Sequence, residues 1–266
     1  MRAHSGRPAD HLGVIGRLEQ IHASYKEWRR ARRRGWKSHR RLMRAVRFYR
    51  QFIKPGMVCF DVGANVGNRT EAFLRLGARV VAVEPQPSCA RILVEKFGKN
   101  PNFTLIQRAL GRCCGENEMF LSSAHTLSSM SREWIENVQR LRLFPDCSWD
   151  NKITVETTTL DSLIECYGSP DLLKIDVEGF EYDVLLGLSS PVHVISLEYT
   201  LGALQPLIES VHHLESLGPI SFDYSEGETM KLAMRQWVAG ERIVDILSAS
   251  RGCPSGDIYG RFEQSS

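Results

Sequence analysis

Apolar and polar positions fall into two patterns along this chain, one before residue 53 and one after it. In the first, Val14, Leu18, Ile21 and Tyr25 recur at spacings of four, three and four, which is one face of a helix. Gly13 and Gly16 weaken its first turn. In the second, which opens at the turn Lys54-Pro55-Gly56, short apolar runs alternate with helical periods. Residues 57–62, 78–83, 103–107, 171–177 and 192–198 predict strands, and residues 68–76, 88–97, 181–188 and 204–217 predict helices. Ser88 is expected to cap the second of these helices, and Pro206 is tolerated because it falls in the first turn of the last. Two more strands, over 220–224 and 256–261, flank a helix near 241–250. The alternation predicts an α/β fold, a mostly parallel sheet with crossover helices. Residues 112–152 are less regular. There, 118–121 reads as a short strand before the polar loop SSAHTLSSMS, and beyond it 153–159 alternates as a strand and 160–167 as a short helix.

Charge divides the chain at the same place. The net charge of +3 is the sum of +12 over residues 1–50 and −9 over the rest. Residues 25–50 carry twelve Lys and Arg against Glu27 alone, with Trp28, Trp36, Leu42, Met43, Val46, Phe48 and Tyr49 set among them. One reading is a surface for phosphates, on nucleic acid or anionic lipid, taken over residues 26–50. The other is a solvated helical arm whose apolar residues pack on the body. The expected organisation is a basic helical extension over 1–52 followed by one domain over 53–266.

The seven cysteines form no C-x-x-C pair and are odd in number, which argues against a zinc ribbon or a disulfide framework. No run of about 18 apolar residues is present, and the first residues lack the apolar core of a signal peptide. The expected compartment is the cytoplasm, with the arm allowing peripheral attachment to a membrane surface.

Candidate chemistry concentrates in two blocks. The first is FDVGANVGNRT, residues 60–70, a strand running through a glycine turn into a helix. Gly63 and Gly67 let the backbone turn tightly and approach a ligand, and the helix start offers unpaired N–H groups to a negative one. A dinucleotide fingerprint would place a second glycine where Asn65 stands, so a pyrophosphate would be crowded. A ligand with an amino-acid end suits the turn better, with Asp61 or a carbonyl facing its ammonium. Glu84, ending the next strand, is placed to accept from ribose hydroxyls; that suits NAD and S-adenosylmethionine equally. The second block is PDLLKIDVEGFEYDVLLGL, residues 170–188. Lys174, Asp176 and Glu178 alternate and so share one side of an extended strand, where burial is costly unless they pair or bind something. Asp176, and after it Glu178, is the candidate to orient or deprotonate a substrate hydroxyl. A structural ion pair with Lys174 and a divalent cation shared with Glu198 are the other uses open to them; no metal is assigned. His125, in the polar loop, is a weaker candidate base, and His193, His212 and His213 suggest no site.

These blocks, with VVAVEPQP, IQRALG, VETTTLDSLI and GDIYGRFE, resemble the FkbM-type family of S-adenosylmethionine-dependent methyltransferases over about residues 53–262. The resemblance implies a Rossmann-like, seven-stranded methyltransferase sheet and methylation of a hydroxyl on a sugar, glycan or polyketide-like acceptor. It implies a cofactor pocket of Asp61, Gly63, Asn65, Gly67, Glu84 and the Arg108-Ala109 turn, with Ala64 and Pro85 beside them. Residues 112–152, with Cys113-Cys114 and the stretch from Trp134 to Trp149, depart from the family pattern. A nucleic-acid methyltransferase using the arm, an NAD-dependent oxidoreductase and a non-catalytic binding protein are the rival readings. No N-P-P-Y type target-base motif supports the first, and Asn65 opposes the second.

Overall fold

The computed structural model describes residues 35–200, 204–250, 253 and 255–263. The helical period over residues 14–25 and residues 25–34 of the basic run, which hold six of its twelve Lys and Arg, lie outside them. The chain divides into two units, Met1–Met43 and Arg44–Ser266. Helix α1 (Gly35–Tyr49) carries exposed Arg44 and Arg47 on one side of its last turns and buried Ala45, Val46, Phe48 and Tyr49 on the other. Its last aromatics join the core of the larger unit: Tyr49 meets Phe73 edge-on at 4.8 Å, and Phe52 just beyond stacks on Tyr259 at 5.6 Å.

The larger unit is organised by a seven-stranded sheet. In chain order its members are β1 (Val58–Val62), β2 (Arg79–Val83), β3 (Phe103–Ile106), β7 (Leu172–Ile175), β8 (Val194–Thr200), β9 (Ile220–Glu226) and β10 (Ser255–Phe262), arranged β3-β2-β1-β7-β8-β10-β9. All pairings are parallel except those of β10, which runs antiparallel to both neighbours. Central strands covered on both faces are buried throughout, as LLKI of β7 is, and there Lys174 alone interrupts the apolar run. Between them run helices α2 (Asn68–Arg75), α3 (Pro87–Phe97), α5 (Leu160–Tyr167), α6 (Glu181–Leu185), α7 (Gln205–Leu217) and α8 (Gly240–Ala249). The expected α/β, Rossmann-like sheet is present.

The irregular middle forms a second sheet. Strands β4 (Ala109–Leu110), β5 (Gly115–Leu121) and β6 (Asn151–Thr158) pair in the order β4-β6-β5, and helix α4 (Arg132–Arg140) follows β5. The expected short strand at 118–121 is thus the end of a longer one. Thr159 caps α5, its side chain accepting from the Ser162 N–H at 3.1 Å. Ser88 does not cap α3; the helix begins a residue earlier at Pro87, whose fixed φ suits a first helical position. At the topological switch, β1 and β7 lie side by side while the chain leaves them toward opposite edges. A crevice opens at the carboxyl ends of such a pair.

Candidate functional site

A cavity of about 230 Å³ occupies that crevice. Asp61, Gly63, Ala64, Asn65, Glu84, Pro85, Ala109, Lys174, Asp176 and Glu178 line it, as do His125 and Glu198. Gly67 and Arg108 do not. Gly67 is the left-handed residue before α2, and the Arg108 guanidinium bonds Glu156 at 2.9 Å.

The glycine turn shapes the floor. Gly63 has φ +78°, and a Cβ there would sit 1.8 Å from the Asp176 carbonyl oxygen, so the turn from β1 lies directly on the end of β7. Asp61 is buried and accepts from the Thr70 hydroxyl at 2.5 Å, which ties the end of β1 to the first turn of α2. Burial raises its carboxyl; the Thr70 bond and the Lys174 and Arg69 charges oppose the rise. Asn65 takes φ +50°, a left-handed value that Asn tolerates through its own local bond, here to the Val66 N–H at 2.8 Å. Glu84 accepts from the backbone N–H of Asn65 and of Gln86, both at 2.8 Å. Burial still pushes its carboxyl up to about 7.

The loop after β5 forms the roof. The His125 carbonyl accepts from the Asn65 and Gln86 side-chain amides, each at 3.1 Å, and the Ser128 hydroxyl donates to Gln86 at 3.0 Å. Ser129 donates to the Glu178 carbonyl at 2.6 Å. Burial lowers the His125 imidazole, so it is neutral near pH 7.

The far wall is acidic. The Lys174 ammonium, 1% exposed, bonds Asp176 at 2.8 Å and Asp257 at 3.4 Å. Glu178 does not continue the strand. It takes φ +55° and Gly179 φ +87°, in a turn whose Val177 and Gly179 N–H groups donate to Glu181. That turn, and not strand alternation, brings oxygens of Asp176, Glu178 and Glu198 within 4.8 Å of one another. Burial raises Asp176, but Lys174 with its hydrogen bond and Arg69 outweigh burial and hold it below the usual carboxylate range. Glu178 and Glu198 are raised well above theirs, by burial and then by neighbouring carboxylates. The set therefore places a carboxylate held toward its anionic form beside two that burial and their neighbours push toward the protonated form.

Residues 61–242 match the model of the methyltransferase FkbM domain. The chain belongs to the FkbM methyltransferase family. The hexuronic acid methyltransferase AglP of Haloferax volcanii is 24% identical over 141 residues, 52% of this chain and 53% of that protein. The ribosomal RNA small subunit methyltransferase A of Thermotoga neapolitana is 42% identical over 53 residues, 20% of each. This FkbM chain thus spans about half the length of one relative and a fifth of the other. Among solved structures, the precorrin-6y C5,15-methyltransferase of Geobacter metallireducens aligns over 83% of this chain and 87% of that one, at 16% identity and TM-score 0.41. Sequence patterning missed several residues that line the cavity. Arg69 lay inside the first block without a role, and Gln86, Ser128 and Glu228 reach the cavity from turns that no periodicity marks.

Proposed function

We propose that the chain binds S-adenosylmethionine in this cavity and methylates a hydroxyl of a neutral, polyhydroxylated acceptor, a sugar, glycan or polyketide-like molecule. The observation that carries the reading is the meeting of two unlike walls in one crevice: a glycine turn flanked by Asp61 and Glu84, and the carboxyl set of Asp176, Glu178 and Glu198.

The residues suit the cofactor. Gly63 lines the cavity without a side chain, so ligand atoms would meet backbone there. Asp61 offers an acceptor for an ammonium, and each Glu84 oxygen has one backbone donor and a lone pair left for a ribose hydroxyl. Gly67 and Arg108 would support this pocket from outside its lining. When bound, the cofactor supplies an electrophilic methyl on a sulfonium. The protein's own work is alignment of the acceptor, with modest help from a base. In this reading Asp176, kept anionic by Lys174, accepts the acceptor hydroxyl's proton or hydrogen bond, and Glu178 and Glu198 hold its neighbouring hydroxyls. The Lys174 ammonium on this wall is already bonded to Asp176 and Asp257, which leaves it little to offer an acceptor's phosphates.

A nucleic-acid acceptor is the second reading. The twelve basic residues of 25–50 favour it, and within the described part Arg41, Arg44, Arg47 and Arg50 are exposed. The deciding experiment supplies labelled S-adenosylmethionine with neutral glycosides, uronic acid glycosides and RNA. Label in an ether-linked methyl of the neutral glycoside is the expected result; label in RNA alone would overturn the reading.

A further inference from the structure

Arg69 is the second residue of α2, where the helix end already carries partial positive charge and acidic residues are the favoured occupants. A cation in that place is held against the local field unless an anion attends it. The partner that the structure gives it is weak for the purpose. Glu228, 61% exposed, meets the guanidinium end-on, both its oxygens on the one nitrogen Nη2 at 2.9 and 3.1 Å. The Arg69 side chain is only 12% exposed, and its Nε–H is buried without an acceptor. Buried guanidinium donors normally fork onto a carboxylate through two nitrogens, and an unmade bond there is costly.

The rest of the cavity explains what is missing. Its other charged groups are carboxyls, except Lys174, whose ammonium is taken by Asp176 and Asp257. Arg69 is therefore, among the described lining residues, the cation with donors left for a negative ligand group. It stands next in sequence to Thr70, whose hydroxyl bonds Asp61 at the end of β1, so an acid from the strand and a cation from the helix meet at the first turn of α2. That is the pairing a zwitterionic amino-acid end requires.

From this geometry we infer that Arg69 is the carboxylate anchor for the amino-acid end of the cofactor, and that Glu228 is a placeholder that the ligand's carboxylate displaces. The inference rests on the S-adenosylmethionine reading. Exchange of Glu228 for a ligand carboxylate conserves the charge balance and gives the remaining guanidinium N–H groups an acceptor. It also frees Glu228 to water, at little cost for a side chain already largely exposed.

The test is calorimetric binding of two ligands, S-adenosylmethionine and its decarboxylated analogue, to the full chain and to Arg69→Met and Glu228→Gln variants. Wild type is expected to bind the first more tightly by roughly ten- to hundredfold. Arg69→Met erases that preference while leaving the analogue's affinity unchanged, and Glu228→Gln tightens S-adenosylmethionine alone. Equal loss for both ligands in Arg69→Met, or no loss, overturns the inference. If Arg69→Met does not fold, Glu228→Gln decides: a change that is absent, or shared by both ligands, overturns the placeholder. Binding of neither ligand by wild type overturns the cofactor reading itself.

Discussion

A Cβ added at Gly63 would lie 1.8 Å from the Asp176 carbonyl oxygen, at a φ of +78° that side chains resist. Gly63→Ala is therefore expected to lower the unfolding free energy by about 3 kcal/mol or more, measured by denaturant titration. The necessity of that glycine could be read in the sequence, because a strand followed by G-x-N-x-G has few other uses. Glu84 carries a pH signature as well. Its carboxyl rises on folding from 4.5 to about 7 through burial. A group raised on folding contributes stability that is complete below its unfolded value and lost as pH climbs through the folded one. Wild type should thus lose on the order of 3 kcal/mol between pH 4.5 and about 7 that Glu84→Gln, which cannot ionise, does not lose. Parallel unfolding curves for the two across that range would contradict the assignment.

At the scale of elements, the roof over the cavity depends on bonds that no sequence pattern announces. The segment around His125 is held by its backbone carbonyl, and Ser129 is held by the carbonyl of Glu178. Carbonyl acceptors exist at every position, so nothing in SSAHTLSSMS says where the loop folds back. Gln86→Leu removes one amide donor to His125 and the acceptor of Ser128. Faster amide hydrogen exchange over residues 122–131 is expected, by roughly five- to tenfold, with β1 and β7 unchanged. Uniform acceleration through the sheet would mean that the segment is part of the core. The block KIDVEG was only half legible. Alternation correctly joined Lys174 to Asp176, which bond at 2.8 Å. Glu178 reaches the same wall by a left-handed turn that Glu181 stabilises from below. Such a turn follows from the Gly179 that comes next, not from strand periodicity.

For the molecule as a whole, the alternation of strands and helices was the most legible feature, because buried parallel strands and amphipathic helices advertise themselves. The antiparallel β10, slotted between β8 and β9, was not, since a strand's direction depends on its connection and not on its composition. The basic arm lies mainly outside the described residues, and its role is a proposal: attachment to an anionic surface. Removing residues 1–34 should leave S-adenosylmethionine affinity intact and abolish retention on a polyanion column, a retention that falls steeply with salt in the full chain. Equal retention of both forms would assign the arm no such role.

The central claim is that the crevice between β1 and β7 holds S-adenosylmethionine. Its most direct test is isothermal titration of that ligand into wild type, Asp61→Ala and Glu84→Ala, each first shown to be folded by circular dichroism. One-to-one binding by wild type is expected, weakened by ten- to hundredfold in each variant, about 1.4 to 3 kcal/mol. Wild-type affinity retained in both variants would contradict it.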